Sequence, residues 1–308
     1  MRVSIRPVLD CGLCEDLWRR FSRTASRPSV WHPYFSLSDY EHWKHYLERG
    51  VGTFWASQGE RLCLLAAYQE EEARGLVRVL LVPIFAWDEG DWGPGSSRGE
   101  IQDLLYEHDD EEAATELVKG AIEVLKAKGV EKIGGSAWRS SQCETFRHAG
   151  FRPFRRSILL GWRTDHDIQV KKDTGIALRY IQPGGEALVQ EVLSSTWGIP
   201  VTALPHMDVQ QPIVAMARER PVGVVLPNNH TGSLDLGVHV IAEYRRRYIG
   251  TALVKESASY YRRKHLRHMY VVRNLPLNGL TEEDETALRF YAATGARPLR
   301  EYTGFQLL

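Results

Sequence analysis

The sequence predicts an α/β (α+β) fold built as two successive domains of similar layout. Three observations lead to this. The stretch Leu234 to Leu253, LDLGVHVIAEYRRRYIGTAL, opens with near-alternating apolar residues and runs into the apolar spacing of a helix. With 308 residues, 43% of them apolar, the chain can bury two cores. Segments of the first half also return in the second. TELVK at Thr115 matches TALVK at Thr251, and TFRHAG at Thr145 matches FYAATG at Phe290. The two spacings differ by the insertion Leu275 to Glu283, and a repeat this long marks a duplicated domain rather than a solenoid.

The elements follow in order. A strand at Val3 to Pro7 precedes a helix from about Leu13 to Thr24. A second helix, Ser36 to Glu48, starts on an N-cap pattern and stops at Gly50. Thr53 to Ser57, Arg61 to Tyr68 and Gly75 to Val82 read as antiparallel strands joined by polar turns. The tract Glu89 to Gly99 is glycine-rich without phosphate-loop spacing and reads as a surface loop. Helix Glu111 to Lys128, strand Lys132 to Gly135 and helix Ser140 to Ala149 complete the first copy. Residues 1–165 form the first domain, 166–175 a linker and 176–308 the second domain. The second opens with strand Ile176 to Ile181 and helix Gly185 to Ser195. Loop-like sequence at Trp197 to Pro200 and Leu204 to Met207 leads to strands Ile213 to Arg218 and Gly223 to Leu226. The central stretch, a short strand at Tyr270 to Val272 and a helix ending at Gly295 follow.

Composition narrows the function. The 39 basic and 39 acidic residues cancel, which argues against a nucleic-acid or membrane partner. The longest apolar run, Val79 to Trp87, is broken by Pro83 and is too short to span a bilayer. The N-terminus MRVSIRPVLD lacks a signal-peptide apolar region, so the expected location is cytoplasmic. Cys11, Cys14, Cys63 and Cys143 form no framework. The Cys11-x-x-Cys14 pair has no partner pair or histidine, so no metal is expected and the cysteines read as reduced.

The chemistry concentrates after the central strand. Arg245, Arg246, Arg247, Tyr248, Ile249 and Gly250 form a basic turn before a helix. Free amide N–H groups and the helix dipole make such a place an anion site, and arginine suits phosphate geometry. The ligand read from these residues is a phosphate or pyrophosphate.

This segment resembles motif A of the GNAT superfamily, the acyl-CoA-dependent N-acyltransferases, with Val240, Glu243, Tyr244, Arg245, Tyr248 and Gly250 in matching places. Tyr248 stands where that family has glycine. ALRFYAATGAR, from Ala287, resembles its motif B through Ala287, Phe290, Tyr291, Gly295 and Ala296. The resemblance covers the C-terminal half, and with the repeat it implies a tandem GNAT protein. Each domain is then a mixed, mostly antiparallel central sheet flanked by helices. It implies acetyl-CoA as co-substrate. The backbone of Val238 and Val240 would hold pantetheine, and the turn Arg245 to Thr251 the pyrophosphate, Gly250 letting the backbone approach it. Asn274 would replace a family asparagine whose position is Asp284 here. Tyr291 would protonate the leaving thiolate. The base stays open among Asp235, His239, Glu243 and a water relay, with Asp235 and His239 on one strand face.

The two copies differ. The acidic run Asp109 to Glu112 falls on the position of the basic turn, and Phe146 on that of Tyr291. The first domain therefore reads as a degenerate copy. The expected function is N-acylation of a small-molecule amine by a monomer or homodimer. A non-catalytic acyl-CoA-binding protein is the alternative, and an aminoacyl-transferase using charged tRNA is a weaker third reading.

Overall fold

A computed structural model describes residues 3–8, 13, 16, 17, 20, 21, 61–83, 92, 97–107, 110–170, 175–198, 210–229 and 232–307. The elements expected at 36–48 and 53–57, and most of 13–24, lie outside the described residues, as do 199–209. Leu17 and Phe21, at helical spacing, are buried.

The first half contains β1 (Ser4–Pro7), β2 (Arg61–Gln69), β3 (Glu72–Pro83), β4 (Ser97–Tyr106), α1 (Glu111–Ala127), β5 (Ile133–Ala137), α2 (Ser140–His148) and β6 (Arg152–Arg163). The second contains β7 (Ala177–Tyr180), α3 (Glu186–Trp197), β8 (Ile213–Ala217), β9 (Arg220–Pro227), β10 (Leu234–Val240), α4 (Ile249–Arg263), β11 (His268–Pro276), α5 (Glu282–Ala293) and β12 (Arg297–Leu307). Two strands of the first half escape the sequence reading. β4 begins inside the tract read as a surface loop, where Trp92 is buried. Its run SRGEIQDLLY hides charged side chains in ion pairs, Arg98 with Glu100 and Asp103 with Arg78, which erases the apolar pattern. β6, RPFRRSILLGWR, starts polar and becomes apolar only from Ile158.

One sheet has the order β1-β2-β3-β4-β5-β12-β6-β11, and a second the order β10-β9-β8-β7. They meet at one parallel bridge, Ser233 to Tyr270, where the Tyr270 N–H donates to the Gly232 carbonyl at 3.1 Å. The halves exchange strands. β12, from the second half, lies antiparallel between β5 and β6. β6, from the first half, lies antiparallel between β12 and β11. The cores follow the exchange. Phe305 of β12 is fully buried in the first core, stacked on Phe146 at 5.3 Å. Ile158, Leu160 and Trp162 of β6 belong to the second.

The repeated helices pack alike. α1 buries Ala113, Leu117, Val118 and Leu125, and α4 buries Ile249, Leu253, Val254 and Tyr261, each pair related by the repeat spacing. The helix entrances are unlike. Asp110 caps α1 by accepting from the Ala113 N–H at 3.1 Å, with Glu111 and Glu112 in its first turn. α4 has no such cap.

Candidate active site

β10 does not keep the alternation read from its sequence. Its pairing with β9 runs Asp235 to Leu226 and then Val238 to Val225, so Leu236 and Gly237 form a bulge. Both have positive φ, 63° and 85°. Glycine meets this conformation without steric cost, and a glycine inside a strand pattern is the sequence signal for a bulge. Past the Ser233–Tyr270 bridge, β10 and β11 share no further ladder and diverge. The bulge sits at the opening of this splay.

The bulge receives the end of Tyr291 from α5. A β-carbon on Gly237 would lie 2.8 Å from the Tyr291 hydroxyl. The Val238 backbone acts on that hydroxyl so as to favour phenolate, as a facing N–H does and a carbonyl does not. Burial pushes the phenol above its ordinary pKa, against the Val238 bond and the nearby Arg273 charge. Tyr291 therefore holds its proton at neutral pH. Its ring lies edge-on to Trp162 at 5.7 Å, and the Trp162 indole N–H donates to Thr294 at 3.2 Å. The side chain is thus braced by a strand of the other half.

The basic turn has a defined shape. A 3-10 turn, Ala242–Tyr244, precedes it. The Arg245 Nε donates to the Val240 carbonyl at 3.1 Å, and Arg247 lies over the Tyr244 ring. Arg246 and Tyr248 have φ of 63° and 61°, so Tyr248 adopts the left-handed conformation natural to the glycine that the family resemblance expects there. It forms the N-cap of α4 without a side-chain bond. Ile249 is buried, and Gly250 and Thr251 fill the first turn, whose N–H groups have no partner within the helix. Gly250 also has close neighbours on its protein side. A β-carbon there would stand 3.0 Å from the Phe290 ring and 3.7 Å from Val238.

Of the backbone at Val238 and Val240, the Val238 N–H faces Tyr291 and the Val240 carbonyl accepts from Arg245. Asn274 turns toward β6, where its Oδ1 accepts from Ser157 at 2.8 Å. Asp284 forms a capping box with Thr281 and an ion pair with Arg273 at 2.7 Å. Burial opposes its charge, but the Thr281 and Arg273 bonds outweigh that and hold the carboxyl below its ordinary range.

Asp235 and His239 sit opposite Leu226 and Val224, two residues apart on β9. They keep one face because the bulge adds two residues. Their partners differ. Asp235 accepts from Gln210 at 2.6 Å and Asn228 at 3.0 Å, and burial raises its carboxyl above the ordinary range. His239 contacts Thr196 through Nδ1 and the Leu236 carbonyl through Nε2, both at 2.9 Å. Burial lowers its imidazole to about 4.

The first half repeats the bulge. Pairing of β3 with β4 skips Asp103 and Leu104, and Asp103 has φ of 49°. There the splay is bridged by one buried side chain. Gln142 of α2 donates to the Leu104 carbonyl at 2.7 Å and accepts from the Trp138 and Arg139 N–H groups at 3.1 Å. The repeat spacing of motif B places Ala287 at this position, which cannot make such a bridge. Phe146 replaces Tyr291 and packs where a β-carbon on Gly135 would clash.

The fold is that of the GCN5-related N-acetyltransferases, arranged in tandem. A GCN5-related N-acetyltransferase from Sphaerobacter thermophilus superposes with a TM-score of 0.69 at 16% identity, covering 99% of this chain and 95% of that one. A tandem GNAT protein from the clavulanic acid biosynthesis pathway superposes equally well, with 0.69 at 13% identity and coverage of 99% and 98%. A probable N-acyltransferase from Enterococcus faecalis V583 gives 0.55 at 10% identity, covering 98% and 72%. No protein-family model and no curated protein matches the sequence. Among the described residues, no helix is long and apolar enough to cross a membrane, and no cluster of His, Cys, Asp or Glu could hold a metal ion.

Proposed function

We propose that the chain is an N-acyltransferase, using acetyl-CoA on the primary amine of a small molecule, with one active site, in the second half. The observation that supports this best is Tyr291, a buried, protonated phenol delivered to the bulge of a splayed strand pair. The splay suits pantetheine. Where Gln142 bridges the first half, the second has Ala287, which has no amide to close the splay against an incoming one. The turn Arg245 to Thr251 suits the pyrophosphate, as an uncapped helix start with three arginines.

The reaction balances within these groups. The amine nitrogen attacks the thioester carbonyl, the C–S bond breaks, and the thiolate takes the Tyr291 proton. The proton lost by the amine passes to Asp235, whose raised pKa suits a base, directly or through water. The first half is a closed copy. Its splay is bridged and the carboxylates of Asp110, Glu111 and Glu112 repel a pyrophosphate. Thiol release from acetyl-CoA across a panel of amines tests this reading. Stoichiometric CoA binding with no turnover on any amine would favour the non-catalytic acyl-CoA-binding alternative.

A further inference from the structure

His239 lies four residues past Asp235 on β10, yet its ring is committed to the backbone. Its Nε2 is 2.9 Å from the Leu236 carbonyl, inside the bulge. A carbonyl oxygen only accepts, so Nε2 carries the proton. In the neutral ring Nδ1 is then an acceptor, and the Thr196 hydroxyl, at 2.9 Å, donates to it rather than to the Leu193 carbonyl at 3.0 Å. Trp197 closes the ring's flank edge-on at 4.9 Å. Thr196 and Trp197 end α3, which stops at Gly198 with φ of 69°. His239 thus joins the end of α3 to the bulge carbonyl.

That carbonyl has mechanical importance. Leu236 and Gly237 both have positive φ, an arrangement that a strand without a brace would relax. The next N–H in the chain, Val238, is the one that meets the Tyr291 hydroxyl. Rotation of the Leu236–Gly237 backbone would swing that N–H away. We infer that His239 is a positioning residue, a neutral imidazole that holds the bulge by its Leu236 carbonyl and so aims the Val238 N–H at Tyr291 and the reacting thioester.

The inference rests on the acyltransferase reading for its kinetic consequence but not for its structural one. Burial favours the neutral ring of His239, and so do the charges that act on it, Arg273 of β11 and Arg245 of the turn. A base would behave otherwise. It would be free to take a proton, and its loss would remove a limb of the pH–rate profile.

Two measurements on the full chain test it. Nitrogen NMR of His239 should show the neutral Nε2–H tautomer from pH 8 to pH 5, and Val238 amide hydrogen exchange should speed up at least tenfold in His239→Leu. Both need no turnover, so they stand even if the chain transfers no acyl group. With an amine in hand, His239→Leu should lower kcat by tenfold or more, with KM for acetyl-CoA within about threefold and the pH limbs in place. His239→Gln, whose amide can donate to Leu236 and accept from Thr196, should regain most of the rate. Thr196→Val should act in the same direction, more mildly, if the leucine variant fails to fold. Titration of His239 between pH 5 and 8, unchanged Val238 exchange, or loss of a pH limb in His239→Leu would each overturn the inference.

Discussion

The Tyr291 hydroxyl occupies the space that a side chain on Gly237 would need, 2.8 Å from its missing β-carbon. Bulge and tyrosine are therefore one unit. A residue larger than glycine at 237 displaces the oxygen, and removal of the oxygen leaves the Val238 N–H without this acceptor. Tyr291→Phe should keep the Trp162 contact and the fold but lose the proton. The expected result is a fall in kcat of roughly 10²–10⁴-fold with little change in KM for acetyl-CoA. Steady-state thiol release reads it. A rate within about threefold of wild type would return the proton to solvent, since that lies well below the general-acid range.

Ala287 and Gln142 form a reciprocal pair of tests. Ala287→Gln should place in the second splay the bridge that closes the first, and weaken CoA binding at least tenfold by calorimetry while leaving the melting temperature unchanged or higher. Unaltered affinity would place the pantetheine elsewhere. Gln142→Ala strands a buried carbonyl and two half-buried N–H groups, and should destabilise the chain by about 1–3 kcal/mol. It should leave binding at one CoA per chain, because the acidic entrance of α1 remains.

Tyr248 stands at φ of 61° where a β-carbon is disfavoured. Left-handed backbone costs a non-glycine residue about 1–2 kcal/mol, part of which glycine returns as unfolded-state entropy. Tyr248→Gly should therefore raise stability by up to about 1 kcal/mol, or roughly 2–4 °C in the melting midpoint. CoA binding should hold or tighten, as the backbone comes closer to the phosphates. A lower midpoint would mean that the tyrosine ring contributes more than its backbone loses.

The acid side of the stability profile should report His239. Its folded pKa, about 4, lies below the 6.5 of an unperturbed imidazole. Between these values the unfolded chain binds the proton more readily, so the native state is favoured above pH 6.5 and loses that advantage as pH falls toward 4. The difference amounts to about 3 kcal/mol. Urea unfolding at pH 7.5 and 4.5 should show wild type losing more stability than His239→Gln, in which Asp235 and the other carboxylates are unchanged. Parallel losses in the two proteins would show that the imidazole already titrates normally.

Much of this was visible in residue order. The strand, basic turn and helix from Leu234 onward are placed as their letters suggest, and the repeat sets Phe146 opposite Tyr291 and the acidic run Asp109 to Glu112 opposite the basic turn. The hidden parts share a physical cause. β4 was missed because Arg98, Glu100 and Asp103 are buried in ion pairs, and a hydropathy pattern cannot tell a paired buried charge from a solvated one. The role of His239 was hidden because Gly237 was read as part of the alternation, when it signals the bulge that His239 braces. Trp162 could not be linked to Tyr291 at all. The contact joins residues 129 apart across an exchanged strand, and local sequence has no term for that.

The strand exchange bears on descent as well as on form. β6 supplies the wall behind Tyr291, and β12 supplies Phe305 to the opposite core. A gene shortened to either copy would encode a sheet with a gap in its middle, so neither copy can be discarded. On the proposed reading, a first copy without chemistry is still tied to the second by the exchanged strands. Its inheritance is secured by the neighbour that it completes. Substitutions at Ile158, Leu160 and Trp162, first-half residues by sequence, therefore act on the core of the other half.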